Sequence, residues 1–294
     1  MTTPRPIVCS SRVLAAVLAT GTLLTTAACS DADNSASAGS KTAAAAVAQT
    51  ESPTSTPTST TTSPTASPTS SPTSSPGATL SETGARNALI TSADLEGDWT
   101  QADKPQTWRD SLLVGEVDVA AFLSGKSDAP DCQQLIDSLY DETLLGTPSG
   151  ASALNGFEQG DSRLLYQVAA YEKADLDESM KSLRSLPDTC DQFTVTGGDN
   201  GDRTVQVVEM SLPEEGDARQ GMTVTVKGDS GGQPVTLTLD VAVVQIGANA
   251  ITVTNGGLDG ADHDATTAAV EQGTPRLQAV LAGRTPTPTP SGIE

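Results

Sequence analysis

Histidine is almost missing from this chain: one residue, His263, stands among 294. With no Cys-x-x-Cys pair either, the sequence lacks the ligand set of a zinc site. His263 itself reads as a surface residue at a helix start. Positive charge is scarce too. Residues 81–284 hold 33 Asp and Glu against 13 Lys and Arg, so this segment carries nearly all of the chain's net charge of −21. Nucleic acid or an anionic bilayer surface would be repelled by it, and neither is an expected partner. The acidity reads first as solubility and second as an acidic docking surface. A Gly-rich phosphate loop, a kinase or nucleotide motif and paired catalytic acids are also absent, so no cofactor is expected.

What is present begins with an export signal. Arg5 and Arg12 precede an apolar stretch from Val13 to Leu24, and Thr-Thr-Ala-Ala-Cys follows at 25–29. The stretch is too short for a dedicated membrane span and has the order of a secretory signal. A cysteine directly after small residues marks the lipoprotein variant, in which the thiol takes a diacylglyceryl group and the chain is cut behind Ala28. Thr26-Ala27-Ala28-Cys29 resembles a bacterial lipobox, with Thr where Leu is commonest; the other reading is an ordinary signal with a chance cysteine. The polar Ser30-Asp31-Ala32-Asp33 favours lipidation. The expectation is a protein anchored to the cell membrane through Cys29, on its extracytoplasmic face.

Composition then divides the chain into a signal peptide (1–28), a stalk (29–80), one folded domain (81–284) and a tail (285–294). Between residues 32 and 80 Ser, Thr, Pro and Ala dominate, with no Trp, Tyr or Phe and only Val47 and Leu80 among Leu, Ile and Val. Such a segment cannot bury enough apolar area to offset chain entropy. Partly extended, it reaches on the order of 100 Å, either bare or O-glycosylated. The tail Thr-Pro-Thr-Pro-Thr-Pro at 285–290 repeats the composition.

Of four cysteines, Cys9 leaves with the signal and Cys29 takes the lipid. Cys132 and Cys190 remain, an even pair in an oxidising compartment, and read as one disulfide. Closing that loop contributes about 4 kcal/mol by the chain-entropy estimate.

Within the domain, periodicity predicts helices over 131–140 and 176–186, and a third from about residue 262 that Gly273 and Pro275 break, Thr274 capping its second piece. Strands are expected at 163–171, 192–196, 203–210, 222–226, 235–246 and 250–254, joined by short polar turns. Hairpin spacing makes the sheet antiparallel and buried on one side, with helices packed on one face. The class is α+β.

Two runs resemble chemistry. Gly228-Asp229-Ser230-Gly231-Gly232, with Pro234 behind, resembles the nucleophile context of trypsin-like proteases, but no histidine precedes Ser230 and Gln233 splits the run. Gly, Asp and Ser are equally the residues of a hairpin turn. Asp199-Asn200-Gly201-Asp202 resembles a calcium loop without the bidentate Glu that such a loop requires; Asn200-Gly201 reads better as a tight turn.

Three stretches together resemble a known family: Ile-Thr-Ser-Ala-Asp-Leu-Glu-Gly-Asp-Trp at 90–99, Leu-Tyr-Gln-Val-Ala-Ala-Tyr at 165–171 running on to Cys190, and Val-Val-Gln-Ile-Gly-Ala-Asn-Ala-Ile-Thr-Val at 243–253. The chain is similar here to the extracellular sensor domain of mycobacterial PknH-like kinases and to related actinobacterial sensor-domain lipoproteins. The resemblance implies an antiparallel sheet with helices around a cleft, usually with two disulfides, that binds an unidentified ligand. This chain departs in having one cysteine pair, and in Leu186-Pro187 where relatives often carry Trp. The resulting expectation is a non-catalytic ligand-binding or sensor-like module whose signal passes through a separate partner. The alternatives are an acidic protein-interaction module docking an envelope partner and, on the strength of Ser230 alone, a hydrolase.

Overall fold

In the computed structural model the described residues are 79–198 and 201–287. The signal, Cys29, the stalk up to residue 78 and the end of the tail lie outside them. The body has nine strands in one sheet, in the order β1-β5-β6-β11-β10-β9-β8-β7-β4, every neighbouring pair antiparallel. These are β1 (Thr100–Gln101), β4 (Lys126–Ser127), β5 (Ser152–Gln159), β6 (Ser162–Ala170), β7 (Gln192–Thr196), β8 (Arg203–Met210), β9 (Ala218–Ser230), β10 (Gln233–Ile246) and β11 (Asn249–Gly257). A separate small ladder pairs β2 (Leu113–Val114) with β3 (Val117–Asp118). The helices are α1 (Glu82–Asn87), α2 (Val119–Leu123), α3 (Pro130–Ser138), α4 (Lys173–Thr189) and α5 (His263–Leu281). Among the described residues no helix is long and apolar enough to cross a membrane.

Strand alternation assigns the two faces. Along β10, Leu237, Leu239, Val241 and Val243 point into one core with Val205, Val207, Met222, Val224 and Val226, while Ala242 and Val244 point into a second. The first core is covered by α3 and α4, the second by α1 and α5. The α+β class and the antiparallel sheet are as expected, and helices pack on one face as expected; the opposite face carries helices as well. All nine residues of β11 are buried, which a sheet covered on a single side would not allow. Beyond α5 the second face meets open water, where Thr204, Gln206 and Val208 of β8 are exposed.

Helix α5 runs unbroken from His263 to Leu281, so the expected break at Gly273 and Pro275 is corrected. Gly273 is there for space. A Cβ at this position would collide with the Oη of buried Tyr166 on β6, so glycine lets the helix lie close on the sheet. Strand β5 and helices α1 and α2 were not expected. The sequence Ser-Ala-Leu-Asn-Gly-Phe-Glu-Gln is a poor strand former, yet full pairing with β6 holds it, and Gly156 admits Pro105 and Trp108, which stand 2.5 and 2.7 Å from where a Cβ would be. Leu80, last of the compositional stalk, is 4% exposed and belongs to the second core.

Candidate functional site

Helices α3 and α4 lie side by side on the first face, and a groove of about 260 Å³ runs between them. Pro130 at the first position of α3 starts the helix without losing a needed N–H. From there Asp131, Gln134, Leu135 and Ser138, spaced as one helical stripe, form one wall. Glu178, Ser179, Ser182, Leu183 and Leu186 of α4 form the other. Leu135, Leu144, Leu183 and Leu186 are buried and make an apolar floor, whereas Asp131, Gln134, Glu178 and Ser182 are exposed at the rim.

The walls are fixed at both ends. Cys132 near the start of α3 is disulfide-bonded to Cys190 at the end of α4, as expected, with Cα atoms 5.8 Å apart. At the far end Ser179 Oγ donates to the Leu145 carbonyl at 3.1 Å. Helix α4 is tied to the hairpin between β10 and β11 through Asp177, which accepts from Lys173 Nζ and, at 2.7 Å, from Gln245 Nε2. The Lys173 and Gln245 hydrogen bonds hold the Asp177 carboxyl below its ordinary range. The groove lining contains two carboxylates, Asp131 and Glu178, and neither Lys nor Arg, so its rim suits a neutral or cationic guest over an anionic one.

The sequence-singled residues fall elsewhere. Ser230 ends β9 and pairs with Gln233, and Gly231 and Gly232 between them both take positive φ, +59° and +78°. That is the type I′ hairpin geometry, which L-residues with side chains disfavour. The one histidine contacts Asp240, seven residues along β10 from Gln233, or about 23 Å of extended strand; Ser230 and His263 are not brought together. The phenols of Tyr140, Tyr166 and Tyr171 are pushed far up by burial, so none is ionised near neutral pH. At the suspected calcium loop, Asp199 and Asn200 lie outside the described residues. The carbonyls of Gly197 and Gly201 accept instead from the guanidinium of Arg203, which also reaches the Ser124 carbonyl. A fixed positive charge thus already occupies those oxygens.

The polar rim of the groove went unnamed in the sequence. Its signal was available: the exposed flank of each predicted helix is given by the same 3.6-residue period as the buried stripe. What periodicity does not give is that two such flanks face one another.

No protein-family model matches the chain, and no curated protein matches it. Among solved structures, it is similar to the crystal structure of the extracellular domain of PknH from Mycobacterium tuberculosis, at 14% identity and a TM-score of 0.36, over 68% of this chain and 96% of that one.

Proposed function

We propose that the folded body is a non-catalytic ligand-binding module, sensor-like in role, held at the extracytoplasmic face of the cell membrane by a lipid on Cys29, and that its ligand seats in the groove between α3 and α4. The observation that carries this is the groove's build: an apolar floor, a few polar groups converging on it and rigid ends. That is the usual make-up of a small-molecule site. The volume, near the lower end for such sites, suits a compact amphipathic molecule, and the acidic rim suits one that is uncharged or positive.

The test is a thermal-shift screen of the full chain against neutral and cationic wall and lipid components, with Ser182→Trp as control, since Ser182 is exposed on the rim and Trp there fills the groove. A raised Tm in the wild type alone is the expected result. No shift with any component, or equal shifts in both proteins, would sink the reading.

A second reading rests on the charge of residues 81–284, 33 acids against 13 bases. It makes the body a docking module for a basic envelope protein. Such a complex weakens steeply with salt, and a pull-down unchanged at high ionic strength rules it out.

A further inference from the structure

The chain's one histidine has two partners on the face of the sheet opposite the groove. His263 Nδ1 lies 3.1 Å from Met210 Sδ and 3.4 Å from Asp240 Oδ2. The three side chains come from three elements, the end of β8, the middle of β10 and the first residue of α5, and the carboxylate and the helix start are held in place. The Asp240 side chain is 4% exposed, and its Oδ1 accepts from Thr223 Oγ1 at 2.8 Å, leaving Oδ2 toward the imidazole. Asn255, paired directly with Asp240 across the ladder, donates to the Asp262 carbonyl and to Thr266 Oγ1, while Asp262 caps α5 through Ala265 N–H. Those bonds seat the helix start on the sheet and fix where His263 stands.

Met210 reaches this spot over β9. Its partner there is Gly221, where a Cβ would stand 2.5 Å from the Met210 carbonyl oxygen, 2.8 Å from Leu212 Cγ and 3.2 Å from Met210 Cε. The missing side chain makes room for the end of β8, the Met210 side chain included. A His–Asp pair does not require it: a thioether is a weak hydrogen-bond acceptor, yet the sulfur lies nearer Nδ1 than the carboxylate does, 3.1 against 3.4 Å. Methionine has three rotatable bonds, and here it is laid toward the imidazole.

We infer that Met210, His263 and Asp240 form a copper site, with cuprous ion held by the thioether sulfur and imidazole Nδ1 and its charge offset by the carboxylate. Thioether and imidazole together select Cu(I) over harder cations. No three His, Cys, Asp or Glu side chains converge among the described residues, so the thioether is what completes the set. The acidic surface draws cations to it.

The experiment uses the full chain with Cys9→Ser and Cys29→Ser, so that no free thiol competes, titrated with Cu(I) under argon against bathocuproine disulfonate. The expected result is one equivalent bound, with affinity at least tenfold lower in Met210→Leu and in His263→Gln while their far-UV circular dichroism is unchanged. The copper X-ray absorption of the wild type should contain one sulfur scatterer, lost in Met210→Leu. Should Met210→Leu misfold, Met210→Gln keeps the length without the sulfur and decides the matter. Failure to hold Cu(I) against the chelator, equal affinity in the folded variants, or tighter binding of Zn(II) than of Cu(I) would overturn the assignment. The groove, on the other face, is untouched by either outcome.

Discussion

Gly273 and Tyr166 show how a residue's reason can lie in a distant strand. In the sequence Gly273 reads as a helix breaker, because its conformational freedom is all that a local reading sees. In the fold it is the only residue small enough to leave room for the Tyr166 ring. Gly273→Ala should therefore destabilise by about 1–3 kcal/mol through overpacking. Tyr166 Oη is buried without a hydrogen-bond partner, so Tyr166→Phe should cost under about 1 kcal/mol and recover part of the loss when combined with it. Urea denaturation of the four proteins measures both, and additivity would show that the two side chains do not touch. Arg203, fully buried with three carbonyl acceptors, was equally illegible, since its charge argued for the surface. Arg203→Lys cannot span the same acceptors and should cost about 2–3 kcal/mol in the same measurement. The disulfide, by contrast, was legible because it needed only counting: with Cys9 and Cys29 assigned to the expected signal and lipid, one pair is left.

Among the elements, those with their own period were readable and those made by neighbours were not. The stripes Leu176, Met180, Leu183 and Leu186 of α4 and Leu237, Leu239, Val241 and Val243 of β10 are buried as their spacing predicts. Strand β5 carries no such pattern and exists through its pairing with β6. The groove was half legible, its walls named as helices but their facing unknown. Helix α4 carries two testable dependences. Asp177 has its carboxyl lowered on folding, so the stability it adds is present above its unfolded value, about 3.9, and is lost as pH falls through the folded value. The Tm gap between wild type and Asp177→Asn should thus be open at pH 7 and narrow as the pH is lowered below about 3.9. Reducing the Cys132–Cys190 bond, which spans 58 residues, should remove about 4 kcal/mol and, by freeing one end of the groove, weaken any ligand-induced thermal shift. An undiminished shift after reduction would mean the groove does not depend on its clamp.

For the whole molecule, charge is the dominant property: a body of 33 acids and 13 bases repels itself, and several of its ion pairs are exposed ones that contribute little each. Added salt should raise its Tm by screening that repulsion, about 2–4 °C for each kcal/mol recovered; a fall would show that pairing outweighs repulsion. The buried pair of Arg276 and Asp94, 2.6 Å apart, is shielded from that screening. The measurement that bears most directly on the proposed ligand-binding role is native mass spectrometry of the chain purified in mild detergent from the cell that makes it. Wild type should carry an additional bound mass that Ser182→Trp lacks. The same mass on both proteins, or none on either, would contradict a ligand seated between α3 and α4.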